Sequence, residues 1–344
     1  MNSTFKTTSD FGKSSSIKFE DPNDYIYDAY LESSKEDAKK FLEYRENWNK
    51  TKNFETEFDF PLYILTEMTF SCNYVCPQCP LGDNNLQREL MPNPGTMSMD
   101  LFKKIIDEGK RHKCRSFCVN NTNEPLLVKN IAERIQYARK QGFIDILMNT
   151  NGELLNEELS EKLIKSGLTR LMVSIDAHNE ETFSKIRVGG NYEKVKNNVL
   201  NLVKIRDKLG QKLPLIRVSF VLQKDNEGEV KEFKEFWETK VDYVHIQSFA
   251  KPYETSVDSR LTDENSNLKD NFRCDQPWNR IMIRADGNIH PCCSFYTYDL
   301  GMGNIDNSTI YEIWNSQRFT ELRKLHYEGR YQDNEACKKC VNSF

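Results

Sequence analysis

The chain has 344 residues, of which 29% are charged, and a formal net charge of -4 at pH 7. Acidic and basic residues are interspersed, which argues against a nucleic-acid-binding protein because such proteins present a basic face. The length predicts about two domains, and no apolar stretch approaches the ~20 residues that a membrane span requires.

The N-terminus and the cysteine content bear on the compartment. The first residues lack the apolar region of a signal peptide, so we expect a cytoplasmic protein. The chain contains 10 cysteines. In a cytoplasmic chain of this size, clusters of cysteines indicate metal or redox sites rather than disulfides.

Residues 1–57 are predicted to form an N-terminal extension. Their polar composition predicts disorder over residues 1–20. A helix is predicted between Tyr25 and Trp48, where apolar residues recur among charged ones. We interpret this helix as packed on the domain that follows, with a surface for a substrate or partner as the alternative.

Residues 58–250 alternate between strand-like and helix-like runs. Such alternation predicts an α/β fold with a parallel sheet and right-handed crossovers. Between the strands we predict helices that end near Gly142 and Gly167, and a capping box formed by Asn226 and Glu229. Ligands of such sheets bind at the carboxyl ends of the strands. The predicted strands are residues 62–68, 115–120, 144–149, 170–175, 215–222 and 241–247.

Three cysteines follow the first predicted strand at C-x3-C-x2-C spacing: Cys72, Cys76 and Cys79. Three thiolates in one short loop can hold a single iron–sulfur centre. A four-iron cluster with three cysteine ligands has one iron open for chemistry. Zinc is the alternative, but a structural zinc site needs a fourth ligand, and no Cys or His lies within the next thirty residues.

This triad resembles the signature of the radical S-adenosylmethionine (SAM) superfamily. The resemblance implies a partial (β/α)6 barrel, a [4Fe-4S] cluster that binds SAM, and release of a 5′-deoxyadenosyl radical that removes hydrogen from a substrate. It also implies an electron donor such as flavodoxin or ferredoxin. Many members carry an aromatic residue before the third cysteine, where this chain has Gln78. Tyr74 is expected to take over part of that contact with SAM.

The ends of the other strands carry residues similar to the SAM-binding motifs of this family. Asn123 and Glu124 stand in a segment similar to the Gly-Gly-Glu-Pro motif, and a carboxylate there would bind the SAM amino group. Each motif alone also fits a turn or a helix cap. The expected SAM-binding residues are Tyr74, Asn123, Glu124, Asn149, Asn151, Ser174, Asp176, Arg187, which resembles the family's carboxylate-binding arginine, and Gln247, beside adenine.

Three further residues of this region were assigned from their positions. Cys114 and Cys118 are four residues apart around the second strand and would face the same side if both were extended. We interpret them as buried core thiols. For Arg217, on the fifth strand, a barrel-facing and a surface position are both open.

A second cysteine group lies in residues 251–344, which we predict to form a small α+β domain. A hairpin is predicted over residues 280–291, with helices around residues 310–314 and 319–325. The group resembles the SPASM/twitch extension of radical SAM enzymes, with spacing close to that of the 2-deoxy-scyllo-inosamine dehydrogenase type. This implies one auxiliary [4Fe-4S] cluster, with a zinc ribbon as the alternative. The expected ligands are Cys274, Cys292, Cys337 and Cys340.

Cys293 is surplus to this set, and three roles are open for it: a bystander, an alternative ligand, or a catalytic hydrogen-atom donor. The leading hypothesis for function is oxidation or epimerisation of a carbinol centre in a sugar or aminocyclitol. A short N-terminal region and a single auxiliary cluster favour this small-molecule hypothesis over modification of a peptide or protein. A zinc-binding scaffold without activity is the third hypothesis.

Overall fold

A computed structural model describes residues 22–92, 95–258 and 272–343 of the chain. The disorder predicted for residues 1–20 lies outside these ranges. Within them, no helix combines the length and the apolar character needed to cross a bilayer.

One nine-stranded sheet organises the described residues, in the order β6-β5-β4-β3-β2-β1-β7-β8-β9. Neighbouring strands from β6 through β1 to β7 are parallel, while β8 and β9 are antiparallel to their neighbours. The predicted α/β fold with six parallel strands is therefore confirmed. The strands are β1 Tyr63–Glu67, β2 Ser116–Cys118, β3 Asp145–Thr150, β4 Arg170–Ser174, β5 Leu215–Leu222, β6 Tyr243–Ser248, β7 Arg280–Arg284, β8 Asn288–His290 and β9 Gly303–Asn304.

Helices connect the parallel strands, and their ends follow from local sequence. Two of them stop before Gly142 and Gly167, which both adopt the positive φ angles that favour glycine after a helix. The helices are α1 Pro22–Ser33, α2 Lys35–Lys52, α3 Asn84–Leu90, α4 Met99–Arg111, α5 Ile131–Lys140, α6 Glu157–Lys165, α7 Glu180–Ile186, α8 Tyr192–Lys208, α9 Val230–Trp237, α10 Gln276–Asn279, α11 Ile310–Trp314, α12 Gln317–Tyr327 and α13 Glu335–Asn342.

The capping box predicted at Asn226 and Glu229 is wrong. The Asn226 side chain makes no cap at the following helix and instead donates to the carbonyls of Asp176 and Val221. Glu229 accepts from the backbone N–H of His178. The Asn226 amide therefore bridges the ends of β4 and β5, while its side-chain oxygen accepts from the Gln223 N–H. Glu229 binds the segment after β4, so neither side chain is available for the local cap.

The N-terminal segment forms two helices, α1 and α2, which break at Ser34 because its side chain caps α2. Both pack at the amino-terminal end of the sheet. The Tyr30 hydroxyl donates to the carbonyl of Ile144, just before β3. The Trp48 ring meets the Tyr63 ring of β1 edge-on at 6.0 Å. These helices thus close the end of the sheet opposite to the strand carboxyl ends.

Alternation along the strands separates an apolar outer face from a more polar inner face. Ile64, Phe117 and Ile146 lie in the main core, which packs against the helices. The inner face carries polar side chains near the strand carboxyl ends, including Glu67 and Asn149. These inner positions are the ones that can reach a ligand.

Strand β7 joins the C-terminal segment directly to the parallel sheet. It pairs with β1 along its full length, from Tyr63 opposite Arg280 to Glu67 opposite Arg284. The hairpin partner β8 and the short β9 extend the sheet outward. The C-terminal cysteines therefore lie beside the strand that leads into the loop of Cys72.

Candidate metal and cofactor site

The loop after β1 brings Cys72, Cys76 and Cys79 to the wall of one cavity of about 190 Å³. Its shape is held by backbone bonds: the Cys79 N–H donates to the Cys76 carbonyl at 3.0 Å, and the Val75 N–H donates to the Val188 carbonyl at 2.9 Å. Burial raises the pKa of all three thiols, that of Cys79 to about 12. Metal binding must therefore displace protons from these thiols, which couples cluster assembly to pH.

The structure brings every predicted SAM-binding residue to this cavity or to a second one of about 340 Å³ beside it. The two cavities share Cys76, Cys79, Thr122 and Arg187. The first is also lined by Tyr74, Asn123, Glu124, Asn149, Asn151 and Ser174, and the second by Asp176 and Gln247.

Glu124 is held rigidly at the carboxyl end of the sheet. It is 2% exposed and accepts from the Asn151 N–H at 2.8 Å, the Leu126 N–H at 3.0 Å and the Thr150 hydroxyl at 2.8 Å. Desolvation outweighs these bonds and raises the pKa of Glu124 to about 6. The carboxylate can accept one further charged hydrogen bond from an ammonium group in the cavity.

Arg187 and Asp176 form a buried ion pair at the junction of the two cavities. Asp176 has a φ of 63°, a left-handed conformation that is uncommon outside glycine. The Val221 N–H, at the end of β5, donates to its other carboxylate oxygen at 2.8 Å. Both residues were predicted separately to bind SAM, and their pairing with each other was not predicted.

Two polar side chains in this region provide a test of whether SAM fits. Among the described residues, neither polar atom of the Asn123 amide has a hydrogen-bond partner, although Asn123 is 5% exposed. The Arg187 Nε is likewise buried without an acceptor in the described part of the chain. Buried polar groups are normally satisfied, so the amide and the guanidinium suit the amino and carboxylate groups of a bound amino acid moiety.

Tyr74 fixes the cysteine loop rather than standing free in the cavity. Its hydroxyl donates to Glu153 at 2.8 Å, and its ring meets the Phe183 ring edge-on at 6.4 Å. A Cβ added at Gly190 would lie 2.4 Å from the Tyr74 ring and hydroxyl. The glycine is therefore needed for the close approach of the segment that carries Arg187.

We expect Gly190→Ala to disturb the cysteine loop because neither Tyr74 nor the backbone can yield easily. Overpacking of this kind costs about 1–3 kcal/mol, and SAM affinity should fall with it. Thermal unfolding and SAM binding by the reconstituted protein would measure both effects. Gly228→Ala is the matched control, since nothing lies within 4 Å of its added Cβ; equal losses in both variants would contradict the assignment.

Glu67, the last residue of β1, was not predicted as a site residue. It is fully buried and accepts from the hydroxyls of Thr122 and Tyr298, the latter at 2.9 Å. Desolvation raises its pKa. An acidic residue within the apolar run 62–68 was a signal for it, but its partner from the C-terminal segment was not predictable. Glu67 thus links the first cavity to the second cysteine group.

Cys114 and Cys118 are both buried, but they face different parts of the core. Cys114 precedes β2 and packs among the residues of the main core. Cys118 lies on the inner face, in a separate apolar cluster that Cys293 also contacts. The condition for sharing a side, that both residues be extended, is not met because only Cys118 belongs to the strand. Their assignment as buried thiols agrees with the structure.

The inner face also carries Arg217 on β5 and His245 on β6. The pKa of His245 is lowered to about 4, mainly by burial and to a smaller extent by the charge of Arg217. An unfolded chain binds a proton at histidine near pH 6.5, whereas the folded chain keeps His245 neutral to about pH 4. The free energy of unfolding that depends on neutral His245 is therefore fully present above pH 6.5. It is lost progressively as the pH falls from 6.5 to 4.

We expect His245→Gln to reduce the loss of unfolding free energy between pH 7 and pH 5. Allowing for partial exposure of the ring, the reduction should be about 1–2 kcal/mol. Urea unfolding of the anaerobically reconstituted protein at both pH values would measure it. An identical pH dependence in the variant and the wild type would show that His245 is not held neutral by its surroundings.

All five C-terminal cysteines line a third cavity of about 410 Å³. His326 joins them, with its Nε2 3.3 Å from the Cys337 sulfur. Nowhere in the described ranges do three or more Cys, His, Asp or Glu side chains converge as ligands of a single ion would. An iron–sulfur cubane binds each thiolate through a different iron. With three thiols at the first cavity and five at the third, each cavity offers enough thiolates for an iron–sulfur cluster.

Cys293 occupies the boundary between this third cavity and the inner face of the sheet. Its carbonyl accepts from the Asn121 amide at 3.0 Å, and Asn121 lines the first cavity. Its thiol is close enough to Arg280 and Cys118 to affect the pKa of each. Cys292, in contrast, is buried with its sulfur 3.5 Å from the Thr297 hydroxyl.

Comparison with known proteins agrees with these features. Residues 66–237 match the model of the radical SAM superfamily, and residues 274–341 match SPASM, an iron–sulfur cluster-binding domain. The chain is 26% identical to a tungsten-containing aldehyde ferredoxin oxidoreductase cofactor-modifying protein of Pyrococcus furiosus, over 81% of this chain and 86% of that protein.

Two other similarities concern proteins with different substrates. The S-adenosyl-L-methionine-dependent 2-deoxy-scyllo-inosamine dehydrogenase of Niallia circulans is 23% identical, over 81% of this chain and 92% of that protein. The crystal structure of Streptococcus suis SuiB bound to S-adenosylmethionine aligns with a TM-score of 0.63 at 14% identity, over 83% of this chain and 72% of SuiB. SuiB has also been crystallised with a precursor peptide, SuiA.

Proposed function

Since this chain belongs to the radical SAM superfamily and is therefore an enzyme, we propose that it abstracts hydrogen from a carbinol centre of a sugar- or aminocyclitol-type molecule. Its cofactors are SAM, a [4Fe-4S] cluster and auxiliary iron–sulfur clusters in the SPASM domain. When bound, SAM and the first cluster supply a 5′-deoxyadenosyl radical. The observation that carries the proposal is the gathering of all nine predicted SAM-binding residues around two adjoining cavities.

The chain's own residues then have the following proposed roles. Cys72, Cys76 and Cys79 hold the first cluster, and Asn123 with Glu124 binds the SAM amino group. Arg187 binds the SAM carboxylate through its unpartnered Nε, while Asp176 fixes its orientation. Ser174 and Gln247 face the ribose and adenine, with Asn149 and Asn151 at the mouth of the cavity. Cys274, Cys292, Cys337 and Cys340 hold one auxiliary [4Fe-4S] cluster.

A small substrate is favoured by two observations. The dehydrogenase of Niallia circulans is related over 92% of its own length. The helices α1 and α2 pack against the sheet through Tyr30 and Trp48, so their buried face is not open to a peptide. The alternative, modification of a peptide, is supported by the similarity in fold to SuiB. An electron donor such as flavodoxin or ferredoxin is the expected protein partner.

The role of the Cys293 thiol determines whether epimerisation or oxidation of the carbinol is the proposed reaction. In the epimerisation that we propose as one outcome, the Cys293 thiol, at the boundary between the third cavity and the inner face, would return a hydrogen atom to the substrate radical, and the thiyl radical left would take an electron from the electron donor and a proton from solvent. Without such a return, the radical would give a ketone by losing a proton and one further electron, for which the auxiliary cluster in the SPASM domain would be the acceptor.

The test is anaerobic turnover with reduced, reconstituted enzyme in D2O, using panels of polyols, aminocyclitols and precursor peptides from neighbouring genes. A substrate should increase 5′-deoxyadenosine formation well above the level without it. Deuterium in the product, lost in Cys293→Ala, indicates epimerisation; an oxidised product without solvent deuterium indicates dehydrogenation. Formation of 5′-deoxyadenosine no greater than in a variant lacking the three loop cysteines would contradict the proposal.

A further inference from the structure

Arg217 is a partly buried arginine that has no anionic partner among the residues that the structure describes. It lies on the inner face of β5, between Met172 of β4 and Tyr243 of β6. Its Nε is buried, and within residues 22–92, 95–258 and 272–343 it has no hydrogen-bond acceptor. No ion pair to its guanidinium is found in those ranges either. Desolvation lowers its pKa only to about 10, so Arg217 stays charged near neutral pH.

This arrangement differs from that of the other arginines compared: Arg134 and Arg284 also lack a carboxylate partner in the described ranges but donate to backbone carbonyls, and three more have ion pairs. Arg206 pairs with Asp242, Arg170 pairs with Asp145, and Arg323 pairs with Glu57. Arg170 is itself close enough to Arg217 to disfavour its charge. A desolvated charge without a partner costs several kcal/mol. An anion bound at Arg217 would offset this cost.

Two neighbours on the same face add hydrogen-bonding groups to Arg217. His245 lies opposite Ser219, which is two residues along β5 from Arg217. The His245 Nδ1 and the Ser219 hydroxyl are both buried, and neither has a partner in the described part of the chain. Three adjacent side chains thus present unsatisfied polar atoms. Such atoms are rare in folded proteins and call for a ligand or water.

The position of this group relates it to the proposed SAM site. Ser219 pairs directly with Ser174 of β4, and Ser174 lines the first cavity. Adjacent strands are about 4.8 Å apart, and alternate residues of one strand are about 6.6 Å apart. An anion at Arg217 would thus lie about 5–10 Å from the wall of that cavity, within the span of one small molecule.

We propose that Arg217, His245 and Ser219 bind an anionic group, a carboxylate or a phosphate, of the substrate. The inference rests on the proposed function and narrows its substrate class to acidic or phosphorylated polyols. Arg217 supplies the positive charge in a planar fork that matches either anion. His245 and Ser219 complete its hydrogen bonds. Oxidation or epimerisation at a neighbouring carbinol would leave the anionic group unchanged.

The test measures binding of inorganic phosphate and of acetate to the anaerobically reconstituted, SAM-saturated enzyme by isothermal titration calorimetry. Saturation with SAM occupies Arg187, so the remaining cationic group under test is Arg217. Arg217→Gln should weaken binding of the preferred anion at least about tenfold. Arg217→Lys keeps the charge but loses the planar guanidinium, so its affinity for the anion should lie between those of the wild type and Arg217→Gln. Arg111→Gln, which removes an exposed arginine at the end of α4, is the charge-matched control.

Each outcome separates this inference from the proposed function. Preference for phosphate indicates a phosphorylated substrate, and preference for acetate indicates a carboxylic acid. A wild-type enzyme that cleaves SAM but binds neither anion would overturn the inference alone. Equal binding by wild type and both Arg217 variants, with thermal melting confirming that they fold, would also overturn it. Anion binding lost with Arg217 in an enzyme that cleaves no SAM would support the anion site and contradict only the proposed function.

Discussion

Replacement of Cys76 by alanine is expected to abolish SAM cleavage and to remove about four irons per chain, the content of one [4Fe-4S] cluster. The Cys76 thiol is buried beside Arg187 at the junction of the first and second cavities. Two remaining loop thiols cannot hold a cubane that already lacks a fourth protein ligand. Iron analysis and chromatographic assay of 5′-deoxyadenosine after reduction would measure the effect.

Cys114→Ala provides the matched control for this experiment. Cys114 is also a buried free thiol, but its sulfur contacts the carbonyls of Leu62 and Ser116 at the other end of the sheet. Iron content and SAM cleavage should match the wild type, apart from a modest loss of stability. Retention of full iron and activity in Cys76→Ala would show that the loop does not hold the cluster.

The second large effect is expected for Cys292→Ala. Loss of one of four ligands should remove the auxiliary cluster, so iron content falls from about eight to about four per chain. Uncoupled cleavage of SAM should persist, because the first cluster is held by a different loop. Formation of the oxidised or epimerised product should fall to background. The measurements are iron content, Mössbauer or EPR signals of each cluster, and product analysis.

Cys293→Ala distinguishes the adjacent cysteines in the same assay. The Cys293 carbonyl is bound by Asn121, and its thiol is near Arg280 and Cys118 on the inner face. We therefore expect this variant to keep about eight irons. The opposite pattern, with iron lost in Cys293→Ala and kept in Cys292→Ala, would exchange the two assignments.

Much of the fold and site could be predicted because their signals are local. Strand–helix alternation predicted the six parallel strands, and the thiol spacing after β1 predicted a loop that brings three thiols together, which the structure places at one cavity. Residues at strand ends, such as Glu124 and Gln247, were predicted to converge because parallel strands end at one edge of a sheet. These residues line two adjoining cavities because the topology of the parallel sheet brings the strand ends together, and short sequence patterns specify that topology.

What could not be predicted depends on partners distant in sequence. The pairing of Arg187 with Asp176, and the contact of Glu67 with Tyr298, require the folded arrangement of separate strands. Asn226 had a local capping pattern, but its side-chain oxygen accepts from the Gln223 N–H and its amide donates to carbonyls at the ends of two strands. The unpartnered state of Arg217 could be recognised only once its neighbours were known.

Pairing between β1 and β7 has a consequence for how the chain must fold. The two strands come from opposite halves of the chain, yet each supplies the hydrogen-bonding edge of the other. A fragment ending near residue 250 would expose the open backbone of β1, a template for aggregation. Contacts so distant in sequence also form slowly because a long loop must close first. Most of the chain, up to and including β7, must therefore leave the ribosome before β1, which leads to the first cysteine loop, can pair along its second edge.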